Sequence, residues 1–148
     1  MRASSKNRQR STVREIATAI TLIASFSVVS GHARAEHSWT HLHRINAQSG
    51  TVDVYVDPGT IAKKGDLVQV WHLSDIKSEG AKLSSHASRS EFDCKNKKIR
   101  LLYTEVYFGS AMAAGKPTYK IDKPKAKFEN FTLGTTAPAG IVYSFVCR

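Results

Sequence analysis

Two cysteines, six histidines and 22 lysines and arginines are the residues of this 148-residue chain whose types could carry chemistry. Cys94 and Cys147 offer three outcomes: one disulfide, two free thiols, or half of a metal site. In an oxidising compartment two cysteines pair into a bridge. His41 and His43 stand two apart, with His37 nearby. On a strand such a pair shares a face, so both imidazoles could meet one metal. A closed site needs further ligands, and nothing in the spacing places His72 or His86 beside them. His72 with Asp75, or His86 with Asp93, are conceivable acid–base pairs. No nucleophile elbow, H-E-x-x-H motif or glycine-rich phosphate loop accompanies them. The sequence therefore assigns no catalytic residue, no metal and no cofactor. Lysines make the stronger pattern. Lys95, Lys97, Lys98 and Arg100 cluster around one turn, and Lys116, Lys120, Lys123, Lys125 and Lys127 crowd a second stretch. In an extended run Lys123, Lys125 and Lys127 share a face. Together the two groups could hold a polyanion or an acidic protein surface, or simply keep a sheet edge solvated.

The compartment is read from the start of the chain. Arg2, Lys6, Arg8, Arg10 and Arg14 precede IATAITLIASFSVV (residues 16–29), which is apolar or small throughout. GHARA (residues 31–35) follows, with Ala33 and Ala35 at the −3 and −1 places of an A-x-A site. These are the three parts of a secretory signal peptide cleaved after Ala35. The apolar run is too short for a membrane span, which needs about 20 residues. No cysteine lies near the cut to accept a lipid. The expected product is one exported domain over residues 36–148, in the periplasm or at the cell surface. The formal charge of the whole chain is +10, from 22 basic and 12 acidic residues. The leader holds six of the basic and one of the acidic residues, so 16 and 11 remain, a net of +5. That balance favours acidic partners, and an exported domain has little occasion to meet nucleic acid. Export also favours a Cys94–Cys147 bridge, worth about 4 kcal/mol in the chain-entropy account for so long a loop.

The elements that must position these residues are mostly strands. SWTHLHRIN (residues 38–46) alternates loosely. TVDVYVD (residues 51–57) alternates strictly, with Val52, Val54 and Val56 against Asp53, Tyr55 and Asp57. Asp57-Pro58-Gly59 should end that strand, and residues 61–65 should form a short connector. DLVQVWHLS (residues 66–74) is apolar on both faces, as a central strand is. Residues 75–86 read as a long polar loop and residues 87–94 as a strand. KNKK (residues 95–98) is a tight turn, and IRLLYTEVYF (residues 99–108) is the longest strand. Residues 109–117 form a small-residue loop. Residues 119–128 should be extended but interrupted at Pro124, and residues 128–131 a short strand or turn. The tail, residues 136–148, is ambiguous. Its β-branched residues suit a strand, but Pro138 and the spacing of Ile141, Val142, Phe145 and Val146 favour a short helix. The aromatic residues Tyr55, Trp71, Tyr103 and Tyr107 suit cross-strand packing better than a ligand cage. The fold expected is mainly β: a single antiparallel sheet of about six strands, its apolar face covered by the tail.

Three stretches carry a family resemblance. YVDPGTIAKKGDLVQVWHL (residues 55–73), SRSEFDCKNKKIRLL (residues 88–102) and TAPAGIVYSFVC (residues 136–147) resemble, in order and spacing, the surface-adhesin protein E-like family. The resemblance covers nearly all of residues 38–148. It implies a sheet of about six strands with a C-terminal helix disulfide-tethered to it. It also implies an adhesin of the bacterial cell envelope that binds host extracellular-matrix proteins and plasminogen; the candidate surface for such binding is the basic one read from the lysine clusters themselves. The alternatives are a small exported enzyme or metal-binding protein using sheet histidines, or a structural accessory of the envelope.

Overall fold

Residues 37–148 are described in a computed structural model of the chain. The expected signal peptide, residues 1–35, lies outside them. Seven strands follow in order: β1 (Thr40–Ala47), β2 (Gly50–Lys64), β3 (Leu67–Ser78), β4 (Ser84–Asp93), β5 (Lys98–Phe108), β6 (Tyr119–Asp122) and β7 (Glu129–Asn130). The helix α1 (Pro138–Val146) closes the chain. All strands join one sheet in the order β1-β2-β3-β4-β5-β6, and β7 also pairs with β5. Every pairing is antiparallel.

The alternation of β2 sorts the sheet into two faces. Val54 and Val56 are fully buried in a cluster with Val68, Val70, Phe92, Ile141, Val142 and Val146. Tyr55 belongs to the other face, packed against the cluster of Leu73, Ala87 and Tyr107. The helix covers the first face, as the spacing of Ile141, Val142, Phe145 and Val146 predicts. Pro138 sits in its first turn, where a missing N–H costs nothing. Cys94 and Cys147 are bridged, and the Tyr143 hydroxyl donates to the Cys94 carbonyl at 2.9 Å. The tail is thus held at the same strand end by a covalent bond and a hydrogen bond.

Three local expectations are corrected. Asp57-Pro58-Gly59 does not end β2: pairing with β3 runs to Asp57↔Trp71, skips, and resumes at Ala62↔Gln69. The excess residues form a bulge with its own hydrogen bonds. The Asp57 side chain accepts the Gly59 N–H, and the Thr60 hydroxyl donates to the Asp57 carbonyl and accepts the Trp71 N–H. Proline's missing donor is therefore accommodated without breaking the strand. Residues 75–86 are mostly not loop, because β3 continues to Ser78 and β4 begins at Ser84. Within that stretch Asp75 and Ser85 are buried polar groups that satisfy each other, the Ser85 hydroxyl donating to the Asp75 carboxylate. Residues 123–128 are not an extended run: the Ala126 N–H donates to the Lys123 carbonyl in a turn around Pro124.

Candidate functional site

The cysteine-bearing hairpin shows how the first lysine group is placed. β4 ends at Asp93, whose carboxylate accepts the Asn96 backbone N–H at 2.9 Å and its side-chain amide at 2.8 Å. Those hydrogen bonds hold the Asp93 carboxyl below its usual range. Lys97 takes a left-handed conformation, φ 54°, which lets the turn close. Lys95, Lys97 and Lys98 consequently stand exposed at the tip. Arg100 differs. Its guanidinium meets Glu91 at 2.6 Å and lies over the Phe128 ring, so its charge is already matched.

The second group reaches the same edge by a different route. β6 pairs with β5 over Tyr103–Val106 and β7 pairs at Lys98 and Ile99. Between them the Lys123 N–H donates to the Leu102 carbonyl. Residues 118–130 thus run back along the outer edge of β5 and finish beside the first turn. Lys123, Lys125 and Lys127 are exposed on that strip. They do not share a strand face, since the segment is a turn, but they extend the basic edge from the hairpin tip. Among the described residues none of Lys95, Lys97, Lys98, Lys123, Lys125 and Lys127 forms an ion pair. Lys120 meets Glu105 at 3.4 Å. Asp122 and Glu129 are the exposed acids on the same strip.

The histidines are dispersed. A bulge falls between His41 and His43, so His41 pairs with Tyr55 and His43 with Val54, residues of opposite faces. The expected shared face is lost because one extra residue reverses the alternation. His41 instead packs edge-on against Tyr55 and contacts Asp53. His37 lies between Trp39 and Trp71, at 4.7 Å from each ring, and meets Asp57 at 2.9 Å. His72 is buried and meets the Ser90 hydroxyl at 2.9 Å, while Asp75 accepts from Ser85 at 2.6 Å on the opposite face. Neither His72 with Asp75 nor His86 with Asp93 comes together. Among the described residues no group of three or more His, Cys, Asp or Glu side chains is arranged to hold a metal ion.

Sequence reasoning missed one concavity. On the face opposite the helix a cleft of about 650 Å³ is lined by Arg44, Asp53, Tyr55, Asp75, Lys77 and Met112 among others. Its floor is the polar side of β2 and β3, and its far wall is the loop of residues 109–117. The alternation of Asp53, Tyr55 and Asp57 was the available signal for the floor. The wall depends on a contact 37 residues apart in sequence, between Met112 and Asp75, which no local pattern encodes.

Among the described residues no helix is long and apolar enough to cross a membrane. A family model described as surface-adhesin protein E matches residues 39–148. No curated protein and no solved structure matches the chain.

Proposed function

The chain belongs to the surface-adhesin protein E family, and from that premise we propose an exported binding module of the bacterial cell envelope that engages host extracellular-matrix surfaces without catalysis. Family membership implies a surface or exported location. The lysine edge is the contact surface, and its ligand is acidic or sulfated. One observation carries this reading: six exposed lysines, distant in sequence, line a single edge with no ion-pair partner among the described residues. Asp122 and Glu129 offset only part of that charge, so the strip presents a net positive field. The separation of the histidines from their candidate acids supports recognition over acid–base chemistry.

Heparin is the direct probe. The triple variant Lys95→Glu, Lys97→Glu, Lys98→Glu should elute from immobilised heparin at markedly lower salt than the wild type. The wild-type elution should itself shift with ionic strength, as exposed charges are screened over about 8–10 Å in physiological salt. Unchanged retention of the triple variant would remove the hairpin tip from the binding surface, and unchanged retention after Lys123, Lys125 and Lys127 also become Glu would remove the lysine edge.

A further inference from the structure

The cleft on the opposite face has chemistry of the reverse sign to the lysine edge. Tyr55 forms the floor, with Leu83, Ala111 and Met112 along one side. That side is built, not incidental. Met112 and Ala113 are consecutive non-glycine residues in the left-handed region, φ 55° and 53°, a conformation that persists only when surroundings enforce it. The enforcing groups are buried. Asp75 accepts the Met112 N–H at 3.0 Å, Ser85 Oγ accepts the Ala113 N–H at 2.8 Å, and the Ser85 hydroxyl donates to Asp75 at 2.6 Å.

The charged groups facing the cleft are Asp53, Asp75 and Glu79 against Arg44 and Lys77. Arg44 is committed to both oxygens of Asp53, at 2.7 and 2.8 Å. The Tyr55 phenol is raised above its ordinary value, first by burial and then by Asp53 and Asp75, with Arg44 the smallest influence. Three carboxylates against two cations leave the lining with a formal excess of one negative charge. Among the described residues the hydroxyl has no hydrogen-bond partner. An apolar trough ending in a net-negative, hydrogen-bonding pole suits a cation on a short hydrocarbon stem.

We propose that this cleft binds an alkylammonium group, the chemistry of a lysine side chain or a free primary amine. The stem lies against Tyr55, Leu83 and Met112, and the ammonium sits at the Asp53–Asp75 end. The site goes beyond the matrix-binding reading and is independent of it. Along β3, the 12 residues from Leu67 to Ser78 separate the lysine turn from the cleft mouth by about 35 Å.

The test uses the whole chain and probes that share a stem. Pentylamine, pentanol and pentanoate are titrated by NMR, following the Met112 methyl and the Tyr55 ring. Pentylamine should bind saturably and at least about tenfold more tightly than pentanol, with pentanoate weakest. Nα-acetyl-lysinamide separates the sources: affinity matching pentylamine marks a polypeptide side chain as ligand, and much weaker affinity marks a free amine. Tyr55→Phe should weaken pentylamine binding by the hydroxyl's share and keep the stem contact, and Tyr55→Ala should lose both. The triple lysine variant should bind pentylamine as the wild type does, even if its heparin retention is unchanged. Pentanoate binding as tightly as pentylamine, or no saturable binding of pentylamine, overturns the proposal.

Discussion

His72 shows what a single residue contributes that no motif would flag. It is buried on the helix-covered face, and burial pushes its imidazole down to about 4. Its Nε2 meets Ser90, while Nδ1 is buried without a partner among the described residues. The unfolded chain protonates near the ordinary value of about 6.5. Between those values the unfolded state holds more protons than the folded one, so stability falls as pH drops from about 6.5 to about 4. The full span is on the order of 3 kcal/mol. Denaturant unfolding of wild type and His72→Gln across pH 4.5–7.5 checks this. The variant should show the flatter profile, and parallel profiles would refute the assignment. The identity of His72 was legible in the sequence, but its burial was not. Its strand is apolar on both faces, and only the placement of the cover decides which polar residues lose water.

Among the elements, α1 rests on close approach as much as on hydrophobic fit. A Cβ at Gly140 would collide with the backbone carbonyls of Thr132 and Gly134. The segment before the helix therefore passes directly over its first turn, and only glycine admits it. By intrinsic propensity alone glycine costs about 1 kcal/mol against alanine in a helix interior. The structure reverses the sign at this position. Gly140→Ala should lower the thermal midpoint, with a net loss of about 1–3 kcal/mol as backbone is forced apart. A variant as stable as wild type would show that the approach is looser than described. The apolar face of the helix was readable from its spacing; the reason for its glycine was not, since the clashing atoms belong to another segment's backbone. β2 teaches the same lesson. Proline and glycine read as a terminus, yet the Thr60 hydroxyl supplies the hydrogen bonds that let the strand continue.

At the scale of the molecule, the architecture was largely legible. Strict alternation in β2, the aromatic run of β5 and two cysteines placed one sheet and one tethered helix. The lysine groups were legible as composition, but their union along β5 depends on β6 and β7, short strands with weak patterns of their own. The bridge has one consequence for the whole chain. Cys94 and Cys147, 53 positions apart, make β5, β6, β7 and α1 part of a closed covalent ring. A protease that cuts an exposed loop inside that ring opens it without releasing a fragment. Trypsin acting after Lys125 or Lys127 should leave one species on a non-reducing gel and two after reduction, and separation without reductant would contradict it. For a surface or exported protein, a first cut on its lysine edge would leave the two pieces covalently joined.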